Sequence, residues 1–264
     1  MDFFQLRNGN KLPKICFGPG IMERDVCYSS NKFVKFLQRK RLEQDYYSGI
    51  KSCLMSGVRF IDYSAAYGRE DIIRKAMHNL HIDRNELFLT TRVSNKSQYG
   101  NQVRESALRS IEKFGTEYVD LLMFHWPVAD HYVDTWKELI KMRDEGYCRN
   151  IGVANCHQNH IETLIKETGV CPDINQIEIH PLFTQKPLLI YCQHNGIQIE
   201  AYTPLARMDG RLTRLPKLKS ICKNHNKTIS QVVLRWHIQN GIIPVSVHGI
   251  IRIKENLWMY SILN

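Results

Sequence analysis

No apolar run in this sequence is long enough to span a bilayer, and the opening residues MDFFQLRNGNKLPK lack the apolar core of a secretory signal. Both absences point to a cytoplasmic protein. The eight cysteines, Cys16, Cys27, Cys53, Cys148, Cys156, Cys171, Cys192 and Cys222, form no CxxC pair. Their spacing excludes a zinc finger or ribbon and, in a chain this long without a secretory signal, predicts free thiols. There is no HExxH and no two-histidine, one-carboxylate spacing, so no metal site is expected. A strained Gly-x-Ser-x-Gly nucleophile turn is missing, which argues against serine hydrolase chemistry. GxGxxG is missing too, which lowers the case for a doubly wound dinucleotide fold. No linker, repeat or low-complexity tract divides residues 1–264, so a single domain is expected.

What is present is ordinary globular composition, 43% apolar and 23% charged, over 264 residues. The formal charge of +10 fits nucleic acid, a membrane surface or an anionic small molecule. Most basic residues are scattered. The one cluster, KFVKFLQRKRLE (Lys32 to Glu43), has Phe33, Phe36 and Leu37 at i, i+3, i+4. It reads as an amphipathic helix with a solvated basic face. No nucleic-acid motif occurs, so neither nucleic acid nor membrane is expected as a partner.

Short β-rich runs alternate with helical patterns. The strand candidates are KICFG (14–18), VRFIDY (58–63), LFLTTRV (87–93), VDLLMFH (119–125), NIGVAN (150–155), INQIEIH (174–180), IQIEAY (197–202) and IIPVSV (242–247). Most are nearly continuous apolar runs, as strands buried on both faces must be. Between them, Val103, Ala107, Ile111 and Phe114 recur at helical spacing before Gly115. Trp136, Leu139 and Ile140 do so before Gly146, and Val232, Val233 and Trp236 before Gly241. Eight strands, nearly all followed by a helix at about 30 residues per unit, is the arithmetic of a (β/α)8 barrel. Asn8-Gly9 adds an N-terminal hairpin before the first barrel strand.

In such a barrel the C-terminal strand ends line the active site. Those ends carry Asp62, Arg92, His125, Asn155, Gln176 and Tyr202, with Tyr67 five residues past Asp62. Taken singly, each has a plain structural role: a helix cap, a core histidine, a packed ring. Taken together they suit proton transfer to a carbonyl oxygen, since a cation lowers the pKa of a nearby phenol and a carboxylate holds the cation in place.

The segments LRNGNKLPKICFG, GVRFIDYSAAYGRE, ELFLTTRVSN, YVDLLMFHWPV, GYCRNIGVANC, NQIEIHP, IEAYTPLAR, QVVLRWHIQNG and RIKEN resemble the aldo-keto reductases over nearly the whole chain. The resemblance implies a TIM barrel with an N-terminal hairpin, and hydride transfer from NADPH or NADH to a small carbonyl substrate. It implies Tyr67 as general acid, Asp62 as the carboxylate that organises it and His125 as the group that orients the substrate carbonyl, with Trp126 in the substrate pocket. It gives Asn155 and Gln176 the nicotinamide carboxamide and Tyr202 the stacking ring. It places Thr203, Leu205, Ser246, Arg252 and Asn256 near the phosphates and adenine.

This chain departs from the family at several points. Arg92 stands where the family has lysine; the charge is kept, but the guanidinium is larger, planar and forked. Ser94 replaces a common tryptophan, Ala154 a serine, and Val245 a lysine that meets the 2′-phosphate of NADP, which makes NADH an eligible cofactor. A short C-terminal segment after RIKENLWMY would leave the site open, and Glu23 to Asp45, longer than usual, would supply a substitute lid. Two other readings remain: a cofactor-binding pseudoenzyme or sensor with little turnover, and a basic barrel that binds an anionic polymer.

Overall fold

The computed structural model describes residues 3–19, 31–65 and 68–246. Strands β3 (Cys16–Phe17), β4 (Phe60–Asp62), β5 (Phe88–Val93), β6 (Val119–Phe124), β7 (Cys148–Ala154), β8 (Ile174–Glu178), β9 (Gln198–Tyr202) and β10 (Ile242–Ser246) close into a parallel barrel in chain order. β10 pairs back onto β3 through Val245 with Cys16 and Ser246 with Phe17. Each strand candidate from the sequence is therefore a barrel strand, trimmed by a residue or two or, for β7, begun two residues earlier.

The continuous apolar runs follow from burial on two sides. One parity of each strand fills the barrel interior with Cys16, Phe60, Phe88, Leu121, Met123, Ile174, Ile243 and Val245. The other parity, including Ile61, Leu89, Leu122, Val153, Ile177 and Ile199, packs under the helices. Gly152 has a steric reason to lack a side chain. A Cβ there would lie 2.9 Å from the Ile174 carbonyl and 3.0 Å from the Met123 side chain.

The hairpin of β1 (Phe3–Gln5) and β2 (Lys11–Pro13) turns at Gly9, whose φ of 86° suits glycine. It floors the barrel with Leu6 and Leu12. Asn8 and Asn10 donate side-chain hydrogen bonds to Asn150 Oδ1 at 2.7 and 2.9 Å, and Asn150 Nδ2 donates to the Asp120 carbonyl at 2.7 Å. These bonds satisfy polar groups beneath an apolar plug.

The outer layer includes α1 (Lys32–Met55), α2 (Glu70–Asn79), α3 (Asn95–Tyr99), α4 (Val103–Phe114), α5 (Tyr132–Asp144), α6 (Gln158–Thr168), α7 (Lys186–His194), α8 (Gly210–Thr213), α9 (Pro216–His225) and α10 (Ile229–Gln239). The expected stripe on α4 is buried, and Gly115 ends that helix at φ 69°. α1 differs from expectation. It packs inward through its later turns, with Ile50, Cys53 and Leu54 buried, whereas Phe33, Phe36 and Leu37 are 67, 52 and 50% exposed. A 24-residue helix is about 36 Å long, and among its residues it is those of the last two turns that are buried. No helix among the described residues is long and apolar enough to cross a membrane.

Candidate active site

The C-terminal ends of six successive strands bring polar side chains to one mouth. Asp62 ends β4, Arg92 is the penultimate residue of β5, and both are almost fully buried. Arg92 Nη2 donates to Asp62 Oδ2. The strand parity explains the meeting. Asp62 and Arg92 share the inward face with Phe60 and Phe88 below them, so both polar groups are forced into one space. A buried cation and a buried carboxylate persist there because each offsets the other's desolvation.

His125 follows β6, and its backbone N–H donates to the Val93 carbonyl at 3.1 Å, continuing the ladder one residue past the strand. Burial, and then the positive charge of Arg92, pushes its imidazole down to about 4. The ring is therefore neutral near pH 7 and has no hydrogen-bond partner among the described residues. A neutral imidazole can donate one hydrogen bond to an incoming oxygen. Trp126, beside it, is 47% exposed and forms part of the rim.

Asn155 follows β7 in the left-handed region at φ 59°, a conformation asparagine tolerates. Its Nδ2 donates to the His125 carbonyl at 2.9 Å, and its Oδ1 accepts from the Tyr202 hydroxyl at 2.9 Å. Three strand ends are thus tied together by one amide. Gln176 on β8 is buried and donates from Nε2 to Glu200 Oε2 at 2.7 Å; its Oε1 accepts nothing among the described residues. Burial, then the Glu178 carboxylate, raises the Tyr202 phenol. After Tyr202 the chain turns sharply, with positive φ at Thr203, Ala206, Arg207 and Met208. Leu205 anchors that turn by packing its side chain with Leu212, Leu218, Val233 and Leu234, so it has only its backbone to offer a ligand.

Other sequence expectations fall differently. Tyr67, Arg252 and Asn256, the side chain of Ser246 and the first part of the Glu23 to Asp45 segment lie outside the described residues. Ser94, in the place of the family tryptophan, caps α3: its Oγ accepts from the Ser97 N–H at 3.1 Å. Val245 is buried among the interior side chains and gives no charge to a phosphate. Ala154 presents no hydroxyl beside Asn155. The sequence reading missed Glu200. A carboxylate two residues before Tyr202, between Ile199 and Ala201, was the available signal, because period-2 parity puts it on the inward face with Tyr202.

The donor set can be matched against a nicotinamide. An unengaged amide oxygen at Gln176, an amide at Asn155 and a ring at Tyr202 share the mouth, and these are the groups a planar carboxamide-bearing ring requires.

Known proteins resemble the chain along most of its length. The aldo/keto reductase family model matches residues 40–262. A methylglyoxal reductase of Escherichia coli (strain K12) is 36% identical over 256 residues, 96% of this chain and 85% of the relative. An aldo-keto reductase of Mycolicibacterium smegmatis is 39% identical over 247 residues, 92% and 82% respectively. Among solved structures, an aldo/keto reductase from Brucella melitensis superposes with a TM-score of 0.81 at 34% identity, covering 95% of this chain and 90% of that one. A Bombyx mori aldo-keto reductase solved in complex with NADP superposes with a TM-score of 0.80 at 27% identity, covering 99% and 91%. With this barrel, these strand ends and matches of this extent, the chain belongs to the aldo/keto reductase family.

Proposed function

We propose that the protein reduces a small aldehyde or ketone to an alcohol with a nicotinamide cofactor, NADPH or NADH, in a single barrel domain. The observation that carries this is the convergence of Asp62, Arg92, His125, Asn155, Gln176 and Tyr202 at one barrel mouth, with His125 neutral. The named activities of similar proteins, methylglyoxal and glyoxal reductases, support short dicarbonyls as first substrates to test.

The bound cofactor supplies the hydride. Asn155 and Gln176 would hold its carboxamide, and Tyr202 would offer its ring for stacking. Thr203 and the backbone around Leu205 would serve the phosphates, with Ser246, Arg252 and Asn256 assigned to the same part of the cofactor. The neutral His125 imidazole donates to the substrate carbonyl oxygen, which fixes its orientation and polarises it. Tyr67 gives that oxygen its proton. Arg92 stabilises the phenolate left behind, and Asp62 holds Arg92. Trp126 borders the substrate. Val245 offers no charge to a 2′-phosphate, which keeps NADH eligible beside NADPH.

The test is oxidation of NADPH and of NADH with methylglyoxal, glyoxal and a panel of larger aldehydes and ketones. Tyr67→Phe should reduce turnover by about 10²–10⁴ while the cofactor still binds. Turnover unchanged in that variant would overturn the assignment of the acid. The commitment of the Arg92 guanidinium to Asp62 favours a second reading, a cofactor-binding protein with little turnover. Cofactor binding with no tyrosine-dependent reduction of any carbonyl would establish it.

A further inference from the structure

Glu200 is fully buried inside the barrel, on the inward face of β9. Burying a carboxyl is costly, and an apolar side chain of similar volume would avoid that cost. Barrel packing therefore gives no reason for it. Its Oε2 accepts from Gln176 Nε2 at 2.7 Å, and its Oε1 has no partner among the described residues. The charged groups that act on it are Asp62 from β4 and Arg92 from β5, and the Cys16 thiol on β3 feels its charge in turn. From β10 the residue in register is Ile243, which is apolar.

We propose that Glu200 is a positioning residue of the cofactor cradle, whose ionised form sets the Gln176 amide with its oxygen toward the barrel mouth. The proposal rests on the nicotinamide reading given above. The reasoning is one of donors and acceptors. An ionised carboxylate only accepts hydrogen bonds, so Gln176 must turn its NH2 toward Glu200 and present its oxygen elsewhere. A protonated carboxyl can accept or donate, so it tolerates either face of the amide. The orientation of Gln176 thus depends on the proton carried by a residue that does not touch the ligand.

That proton is held in a useful range. Burial, reinforced by Asp62 and opposed by the Gln176 hydrogen bond and by Arg92, pushes Glu200 up to about 8. Near neutral pH the carboxyl is protonated, and in mildly alkaline solution it becomes an anion in the barrel interior. An anion there favours an oxidised, cationic nicotinamide over a reduced, neutral one. By linkage, pH through this range changes the relative affinity for the two cofactor forms.

The experiment is fluorescence titration of oxidised and reduced cofactor, from pH 7 to 9.5, on the full chain, with circular dichroism as the check on folding. In the wild type the ratio of oxidised to reduced Kd should fall by about three- to tenfold as pH rises through about 8. Glu200→Gln keeps an acceptor oxygen but cannot ionise, and should give a flat ratio. Glu200→Met removes acceptor and charge, and should give a flat ratio with both forms bound about tenfold more weakly. A ratio in Glu200→Gln that shifts as in the wild type would overturn the proposal, as would wild-type affinity in Glu200→Met. If Glu200→Gln does not fold, the comparison of wild type with Glu200→Met decides. Wild type that binds cofactor with a ratio independent of pH refutes the role of Glu200 alone. Wild type that binds neither form refutes the nicotinamide reading itself.

Discussion

Replacing Arg92 by methionine removes the cation from a pair whose two partners are each only 3% exposed. The carboxylate left behind has no other ion-pair partner among the described residues, and a lone charge in that interior is not sustained. Breaking a buried ion pair by removing one partner costs about 3–5 kcal/mol, because the remaining charge keeps its desolvation penalty and loses the attraction that offset it. Removing both charges should cost less, since an amide in place of the carboxylate leaves no charge to desolvate. The assay is urea unfolding of wild type, Arg92→Met and the double variant Asp62→Asn/Arg92→Met at pH 7. The single variant should lose about 3–5 kcal/mol, and the double variant should recover at least about 1 kcal/mol of that loss. A single-variant loss below about 1 kcal/mol, or a double variant no more stable than the single one, would refute the reasoning.

Arg92→Lys, which keeps the charge and frees it from fork geometry, should raise kcat for aldehyde reduction by about tenfold in steady-state assays; a fall would mean that the site is built around the guanidinium. His125 is buried as a neutral ring, and its pKa, pushed down to about 4, lies below the unfolded value of about 6.5. Its contribution to stability is whole above about 6.5 and is lost as pH falls through 4, about 2 kcal/mol after allowance for partial exposure. Melting curves from pH 4 to 7 should show this loss in the wild type and a smaller one in His125→Gln. Asn155→Ala places an ordinary residue at φ 59° and removes two side-chain hydrogen bonds, so it should lower Tm and raise the cofactor Kd at least about tenfold. Thr228→Ala breaks the capping box with Gln231 on α10 and should cost about 1 kcal/mol in chemical denaturation without changing KM.

The barrel was legible because its strands are buried on both faces and so read as unbroken apolar runs, as in LFLTTRV and VDLLMF. The hairpin was legible because Asn8-Gly9 encodes its own turn. The strand-end side chains stood out as polar residues where those runs stop. Glu200 did not, because it interrupts a run instead of ending it, and its inward direction depends on barrel closure, which no local pattern states. The first turns of α1 misled for a related reason. Phe33, Phe36 and Leu37 have helical spacing, but spacing says which side chains share a face, not whether a neighbour reaches it. Ser94 stood out only as the replacement of a tryptophan common in the family; its work as the cap of α3 depends on the short helix that follows.

The seam where β10 meets β3 joins residues from almost opposite ends of the described chain, through two registered pairs, and β3 meets β4 through one, Phe17 with Ile61. Elsewhere the ring is stitched by longer ladders, such as the five registered pairs between β6 and β7. Contacts between such distant residues require the largest loop closure and bring few bonds in return. The ring should therefore zip through β5 to β8 and close at β3 last, with a folding rate set by that closure. In the native protein the same joint should be the first place where backbone amides exchange with solvent and where a protease finds an opening, ahead of any loss of the central strands. The Arg92 pair ties Asp62 on β4 back to β5, so it is a latch beside this joint that holds β4 to the central strands when the joint opens.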